Sequence, residues 1–230
     1  MKAVFTCGGT GGHINPALAV ARVLLERRPD SEILFVGAED GMEATLVPRE
    51  GFWLETLQIS SYMRSLKPSA IRHNVRAALS IRRALKKADR IIRDFQPDVI
   101  LGTGGYASYP MLHEGARLGI PTAVHESNAV PGLATKMVAD KVDRILVSFA
   151  DSRSAYRDPS RVIAVGMPVR EEFVFTRRAD ARRALGLDEK TPMIVSAWGS
   201  LGAREMNKKI AQFMKLECEQ DCWRHIHATG

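Results

Sequence analysis

The chain has 230 residues, of which 45% are apolar and 26% charged, with a formal net charge of +7. These proportions are typical of a globular protein with a buried core, and they exclude a disordered, fibrous or disulfide-stabilised chain. No apolar run approaches the roughly 20 residues of a spanning helix, Met1–Phe5 begins a strand-like segment, and the few cysteines (Cys7, Cys218 and Cys222) favour a reducing cytoplasm.

Short apolar runs rich in β-branched residues alternate with helical patterns along the whole chain. They occur at Ala3–Cys7, Ile33–Gly37, Leu54–Ile59, Val99–Leu101, Thr122–Val124, Arg144–Val147, Val162–Val165 and Met193–Ala197. Strands that are buried on both faces and separated by helices predict an α/β fold with a doubly wound parallel sheet. In such a sheet, ligands bind beyond the carboxyl ends of the strands, so the strand-to-helix turns are the candidate sites.

The first of these turns is Gly8–His13, which contains four glycines and precedes Asn15 and Pro16, a predicted N-cap and first helical residue. Glycine lets the backbone approach a ligand closely, and a helix N-terminus attracts phosphate. A tight turn without a ligand is the alternative. A dinucleotide fingerprint would need glycine or alanine at Ile14, and no Gly-Lys-Ser/Thr phosphate loop is present, so hydride transfer and nucleotide hydrolysis are disfavoured.

The segment Tyr62–Phe95 carries ten Lys and Arg residues and only two Asp residues. Its excess of positive charge is therefore larger than the net charge of +7 on the whole chain. Its apolar residues recur every three or four positions, which predicts an amphipathic helix with a wide cationic face. Such a helix is either a solvated surface helix or a contact for an acidic lipid surface. Nucleic-acid binding is disfavoured, because aromatic residues form only 7% of the chain and no base-stacking motif accompanies the charge.

Three later turns also follow predicted strands. Gly102–Ser108 is glycine-rich and, together with Gly8–His13, suggests a site for a diphosphate. The turn His125–Asn128 offers polar groups that could bind a sugar, transfer a proton or form structural hydrogen bonds. Gly199–Ala203 is a further candidate for anion binding, beyond a predicted linker at Gly166–Pro168.

This linker divides the chain into a first domain, residues 1–165, and a second region, residues 166–230, which the sequence predicts to be the incomplete start of another domain. A final strand is expected within His225–Gly230, and a helix within Arg177–Leu185. The spacing of Cys218, Cys222, His225 and His227 matches no closed zinc-ligand pattern, so we expect neither a metal nor a cofactor.

The ordered set of turns resembles the MurG family, the UDP-N-acetylglucosamine transferases of bacterial peptidoglycan synthesis. The resemblance rests on Gly8–Pro16, Gly104–Ser108, His125–Ala129 with Pro131 and Gly132, Gly166–Arg170 and Gly199–Ala203. It implies a Rossmann-like glycosyltransferase B architecture, with the acceptor on the N-terminal domain and the nucleotide sugar mainly on the C-terminal one. By this resemblance the second domain is incomplete, and the chain alone is expected to be inactive.

The reaction that the resemblance implies transfers N-acetylglucosamine from UDP-N-acetylglucosamine to undecaprenyl-diphosphate-muramoyl-pentapeptide, with inversion at the anomeric carbon. It also implies a peripheral position on the cytoplasmic side of the cell membrane, contact with anionic lipid through Tyr62–Phe95, and roles in cell-wall biogenesis, cell shape, the cell cycle and cell division. Two alternatives stay open, a related transferase with another acceptor and a non-catalytic fragment that binds a lipid diphosphate.

The residues expected to act follow from the same resemblance. His13 is the candidate base, or else a hydrogen-bond partner of a phosphate, and Glu126 is the second candidate base. The sugar nucleotide is expected to contact Thr10, Gly11, Gly12, Asn128, Arg170 and Ser200. The acceptor diphosphate is expected to contact Gly8, Gly9, Gly104, Gly105 and Tyr106.

Overall fold

In a computed structural model the chain is described over residues 1–59, 68–199, 202–220 and 223–230, with the backbone alone described at 68–79, 219 and 220. It divides into two compact units, Met1–Arg170 and Glu171–Gly230. The sequence predicts a division after residue 165, and the two compact units divide after Arg170. Residues 60–67, 200–201 and 221–222 lie outside the described residues.

Unit 1 alternates strands and helices along the chain. Its elements are β1 (Lys2–Thr6), α1 (Gly11–Arg27), β2 (Glu32–Ala38), α2 (Glu43–Arg49), β3 (Trp53–Leu57), α3 (Pro68–Phe95), β4 (Val99–Gly102), α4 (Ser108–Arg117), β5 (Thr122–Glu126), α5 (Leu133–Val138), β6 (Arg144–Val147) and β7 (Val162–Ala164). The seven strands form one parallel sheet in the order β3-β2-β1-β4-β5-β6-β7. The predicted α/β, doubly wound, Rossmann-like fold is therefore confirmed.

Both faces of this sheet are buried, as the continuous apolar strands predict. Along β1, Val4 belongs to one apolar cluster and its neighbour Phe5 to the other, because successive side chains of a strand point to opposite faces. Phe5 stacks on Phe35 of β2 with ring centroids 5.3 Å apart. Helices therefore cover the sheet on both sides, and only its edges and strand ends remain for ligands.

Strand order reverses at β1, which lies between β2 and β4. Thr6, at the carboxyl end of β1, is in register with Val36 of β2 and with Gly102 of β4. The two glycine-rich turns that follow β1 and β4 therefore leave the sheet side by side. This is the topological switch point, where parallel α/β sheets bind their ligands.

Helix α1 begins at Gly11 with Thr10 as its N-cap, so the prediction of Asn15 as N-cap is wrong. Its first turn closes when the amides of His13 and Ile14 donate to the carbonyl of Thr10, at 3.0 and 3.2 Å. Two glycines are weak helix formers, and Pro16 resembles a first-turn signal, so local propensity hides the earlier start. The consequence is that His13 lies within the first turn of the helix.

Helix α3 covers Pro68–Phe95 of the predicted amphipathic segment, and Tyr62–Lys67 lies outside the described residues. Over its described side chains, Ala84, Ala88 and Ile91 are buried. Six basic residues point to solvent, namely Arg82, Arg83, Lys86, Lys87, Arg90 and Arg93. The amphipathic pattern is confirmed over this half of the helix, and no helix among the described residues is long and apolar enough to cross a membrane.

Unit 2 contains α6 (Glu171–Phe175), α7 (Arg178–Ala184), β8 (Met193–Ala197), α8 (Arg204–Gln220) and β9 (Arg224–Ala228). β8 and β9 pair in parallel, with Val195 opposite Ile226. A strand, a crossover helix and a parallel strand form the βαβ unit that the sequence pattern predicts for this region. The predicted helix within Arg177–Leu185 and the predicted last strand are both present.

Candidate functional site

The two glycine turns of unit 1 are packed directly against each other. Gly104 and Gly105 have positive φ angles of 101° and 81°, which side chains other than glycine adopt at a cost. A Cβ atom on Gly105 would lie 2.1 Å from the carbonyl oxygen of Gly8, and one on Gly104 would lie 2.6 Å from Nδ1 of His13. Glycine is therefore required here both by backbone conformation and by the closeness of the neighbouring turn.

His13 is held in a defined orientation by Thr103, the residue that follows β4. Nδ1 of His13 lies 3.0 Å from the carbonyl oxygen of Thr103, and the hydroxyl of Thr103 donates back to the carbonyl of His13 at 2.6 Å. Because a carbonyl oxygen only accepts, Nδ1 carries the hydrogen and donates it. In the neutral ring, Nε2 is then the nitrogen with a lone pair, available to accept a proton or a hydrogen bond.

A cavity of about 250 Å³ lies over this pair, at the carboxyl edge of the sheet. Polar groups of its lining come from His13, the second glycine turn and the residues that follow β5. Most apolar side chains of its lining come from α3, α4 and α5. The lining residues are His13, Ile59, Ile81, Gly104, Gly105, Tyr106, Tyr109, Glu126, Asn128, Gly132, Leu133, Ala134, Thr135 and Met137.

Glu126, at the end of β5, is a buried carboxylate whose oxygens already have several donors. Oε1 accepts from the backbone and side-chain amides of Asn128, at 2.9 and 2.7 Å, and Oε2 accepts from the amide of Gly132 at 2.9 Å. Burial alone would raise the pKa of Glu126, but these bonds and one from Thr135 lower it below the usual value. Glu126 therefore holds Asn128 and the start of α5 in place as an ionised acceptor.

Glu43, which the sequence analysis missed, is a completely buried carboxylate beneath the first glycine turn. Its Oε1 accepts from the amide of Ala38 at 2.7 Å, and its Oε2 accepts from the amide of Gly9 at 3.2 Å. The local sequence gives no sign of this contact, because Glu43 begins α2 and reaches the turn from 34 residues along the chain. Burial raises the pKa of Tyr106 and of the Cys7 thiol, and the negative charge of Glu43 raises both further.

His125 precedes Glu126 and is almost completely buried. Its Nε2 donates to the carbonyl of Gly166, 3.0 Å away, which ties the end of β5 to the first residue of the linker. Its Nδ1 has no hydrogen-bond partner among the described residues. Burial lowers the pKa of His125, and the nearby His13 lowers it further. The hydrogen bond to Gly166 acts in the opposite direction and raises it. His125 is thus held as a neutral ring beside the cavity and does not line it.

Six of the predicted site residues meet around the cavity: His13, Gly104, Gly105, Tyr106, Glu126 and Asn128. The other predicted residues of the first turn, Gly8, Gly9, Thr10, Gly11 and Gly12, adjoin His13 but do not line the cavity. Moreover, the amide N–H of Gly9 donates its hydrogen bond to Glu43. Arg170 forms an ion pair with Glu50 at 4.0 Å and does not line the cavity. Ser200 lies outside the described residues.

Two glycine turns and a histidine at the switch point of a parallel sheet define a Rossmann-like ligand-binding fold, and comparison with known proteins gives the family. Residues 3–147 match the model of the glycosyltransferase family 28 N-terminal domain. The chain belongs to glycosyltransferase family 28, and its resemblance to the MurG family is confirmed by its relatives.

Curated relatives of this chain carry the same name, UDP-N-acetylglucosamine--N-acetylmuramyl-(pentapeptide) pyrophosphoryl-undecaprenol N-acetylglucosamine transferase. The protein from Acetivibrio thermocellus is 39% identical over 230 residues, which are 100% of this chain and 61% of the relative. That from Clostridioides difficile is 34% identical over 100% of this chain and 56% of its own length. The chain therefore spans about three fifths of the length of the curated relatives that it matches.

Solved structures share the fold. MurG of Acinetobacter baumannii has a TM-score of 0.64 at 24% identity, over 94% of this chain and 57% of the other. UDP-GlcNAc 2-epimerase from Neisseria meningitidis, solved with UDP-GlcNAc, has a TM-score of 0.61 at 13% identity, over 99% of this chain and 65% of the other. At these identities the likeness establishes the Rossmann-like architecture and not the reaction.

Proposed function

We propose that this protein takes part in peptidoglycan synthesis as an inverting transferase, moving N-acetylglucosamine from UDP-N-acetylglucosamine to undecaprenyl-diphosphate-muramoyl-pentapeptide. Unit 1 is the acceptor-binding part. The observation that carries the proposal is the contact between the two glycine turns, with His13 held by Thr103 at the edge of a cavity that is lined by both polar groups and apolar side chains. A lipid diphosphate likewise has a charged and an apolar part.

His13 is the base in this proposal. The 4-hydroxyl of the muramoyl sugar gives its proton to Nε2 as its oxygen bonds to the anomeric carbon of N-acetylglucosamine, and the bond from that carbon to UDP breaks with the electron pair leaving on the diphosphate. One displacement of this kind inverts the anomeric carbon. The hydrogen bond from Nδ1 to the carbonyl of Thr103 supports the base role, since it orients the ring and stabilises the imidazolium that forms.

Glu126 is less suited to that role, although it lines the same cavity. Its oxygens accept hydrogen bonds from Asn128 and Gly132, and its pKa lies below the usual value, so it holds a proton weakly. We assign it the positioning of Asn128, whose exposed side chain lines the cavity and is available to a sugar hydroxyl.

The acceptor diphosphate is proposed to bind at the second glycine turn and the N-terminus of α4, where the backbone approaches the cavity at Gly104, Gly105 and Tyr106. Gly8 and Gly9 support this turn from behind, through the contact between Gly8 and Gly105. Contacts of Thr10, Gly11, Gly12, Asn128, Arg170 and Ser200 with the sugar nucleotide remain part of the proposal, as does the division into an acceptor domain at 1–165 and a donor region at 166–230.

The exposed basic side chains of α3 support a position at the cytoplasmic face of the cell membrane, where the lipid-linked acceptor would be bound. Anionic lipid attracts Lys and Arg near its surface by about 1 kcal/mol per residue, so a row of them on one helix face is enough for reversible attachment. Roles in cell shape and cell division follow from the proposed pathway step.

The experiment is a calorimetric titration of the chain with UDP-N-acetylglucosamine and, separately, with a short-prenyl diphosphate that carries muramoyl pentapeptide, followed by an assay for transfer of labelled sugar. We expect acceptor binding that His13→Ala weakens and that His113→Ala, a histidine outside the cavity, leaves unchanged. Absence of acceptor binding would overturn the proposal. Binding without transfer is expected of the chain alone and agrees with both the proposal and the non-catalytic alternative, whereas transfer to another acceptor would favour a related transferase.

A further inference from the structure

A second recess, distinct from the cavity over His13, lies between α3 and the carboxyl ends of β2 and β3. It consists of two adjoining hollows of about 250 and 370 Å³ that share Glu39, Gln58 and Arg83 in their walls. We call it the β2–α3 cleft. The remaining lining residues are Asp40, Thr56, Leu57, Ile59, Ser80, Ala84 and Lys87.

The walls of the β2–α3 cleft carry opposite charges. Glu39 and Asp40 follow β2 on one wall, and the amide of Glu39 donates to the carbonyl of Leu57 at 3.1 Å, which fixes that wall to β3. Arg83 and Lys87 are one helical turn apart on α3 and form the other wall, with Lys87 3.5 Å from Glu55. A recess of this kind complements a ligand that has both carboxylate and ammonium groups, and it disfavours a lipid chain.

The cleft adjoins the candidate site. Ile59 lines both the cleft and the cavity over His13, and α3 supplies Ile81 to the cavity while its neighbour Ser80 lines the cleft. An electrostatic link exists as well, since the pKa of Tyr106 is raised by burial, by Glu43 and by Asp40. A ligand bound in the cavity could therefore extend into the cleft without leaving the surface of unit 1.

We propose that the β2–α3 cleft binds a short peptide with both acidic and amino groups, and that this peptide is the one carried by the muramoyl sugar of the acceptor. The inference rests on the proposed function, because it takes the acceptor from there. Among the parts of that acceptor, the diphosphate is assigned to the glycine turns and the prenyl chain to the apolar side chains of the cavity. The charged peptide is therefore assigned to the polar recess next to them. Arg83 is then a specificity-determining residue that pairs with a peptide carboxylate.

Arg83→Glu tests the proposal. The probes are two short-prenyl diphosphate muramoyl compounds, one with the pentapeptide and one without it, titrated in an uncharged detergent so that the proposed attraction of α3 to anionic lipid does not contribute. Arg90→Glu is the matched control, because it makes the same charge change on an exposed position of α3 outside the cleft. We expect Arg83→Glu to weaken binding of the peptide-bearing probe about tenfold, to leave the peptide-free probe unchanged, and Arg90→Glu to affect neither.

Three results would count against the cleft. The first is equal affinity of the wild type for both probes, the second is equal weakening of both probes by Arg83→Glu, and the third is the same loss of affinity in Arg90→Glu. Each of these results would overturn the proposal for the cleft and leave the proposed function intact. If the wild type binds neither probe, the proposed function itself fails, and the inference fails with it. Arg83→Gln, which removes the charge without reversing it, should give a smaller loss for the peptide-bearing probe alone and guards against misfolding of the Glu variant.

Discussion

The Nδ1 atom of His13 lies 3.0 Å from the carbonyl oxygen of Thr103, and this contact joins the first turn of α1 to the end of β4. The two residues are 90 positions apart in the sequence, yet the neighbouring strands β1 and β4 deliver them to one point. The same contact determines which nitrogen of the imidazole can accept a proton. The chemistry proposed for this site depends on that assignment.

The tautomer of His13 is therefore the first prediction. Nitrogen-15 spectra of the side chain under mildly alkaline conditions should show a protonated Nδ1 and an unprotonated Nε2, since only Nδ1–H satisfies the carbonyl of Thr103. Thr103→Val removes the returning hydroxyl bond and should cost about 1 kcal/mol of unfolding free energy. A ring protonated on Nε2 alone would contradict the proposed role of His13 as base.

Gly105 provides a test of the contact between the two turns. Gly105→Ala introduces a Cβ atom 2.1 Å from the carbonyl of Gly8 at a positive φ, so we expect a loss of about 3 kcal/mol or more in unfolding free energy. Gly119 also has a positive φ, 74°, but a Cβ there meets nothing within 4 Å. Gly119→Ala should therefore cost only about 1 kcal/mol in the same urea titration. Equal losses in the two variants would show that the turns are not in contact.

Glu43 is predicted to position the first turn through the amide of Gly9. Glu43→Gln keeps the shape of the side chain but directs an N–H group at a donor, so unfolding free energy should fall by about 1–3 kcal/mol and Gly9 should exchange its amide hydrogen faster. Removing the charge should also lower the pKa of Tyr106, measured by ultraviolet titration. Glu26→Gln, at an exposed position of α1, is the control. Unchanged exchange at Gly9 would argue against this contact.

His125 predicts a pH dependence of stability. Its pKa is lowered by burial below the usual histidine value of about 6.5, so between its folded pKa and about 6.5 the unfolded chain binds more protons than the folded one. The stability that the neutral ring provides is complete above about pH 6.5 and is lost as the pH falls through this window. Urea unfolding near pH 5 and near pH 7 should show that loss.

His125→Gln should reduce this slope, even though the variant is less stable at every pH. The pKa of His113 is also lowered, chiefly by burial, so His113→Gln is the matched comparison and should retain the part of the slope that belongs to His125. Wild-type protein that becomes more stable on acidification would contradict the prediction.

The sequence predicts the parallel sheet and its glycine turns because both depend on local signals. Buried strands are recognised in the sequence as runs of apolar, β-branched residues. Glycine clusters mark the places where the backbone must take positive φ. It also predicts that His13, Glu126 and Asn128 lie at strand ends, which brings them to one edge of the sheet.

Other features depend on contacts between distant segments, which no local pattern reports. Glu43 reaches Gly9 only after β2 and α2 have packed. The role of Glu126 as an ionised acceptor depends on hydrogen bonds from Gly132, which precedes α5, and from Thr135 within α5. The start of α1 is hidden because its first residues are glycines, whose low helix propensity is overridden by the position of the turn against β4. The β2–α3 cleft joins residues from three elements and has no motif of its own.

Titration of the chain, labelled with nitrogen-15 at glycine, with a short-prenyl diphosphate tests the central claim most directly. We predict that the amide signals of Gly104 and Gly105 shift on binding, that the signal of Gly9 moves little because Glu43 holds its amide, and that those of Gly51 and Gly119 do not move. Shifts confined to Gly199 and Gly202 of unit 2, or no shift at Gly104 and Gly105 while the ligand binds, would contradict it.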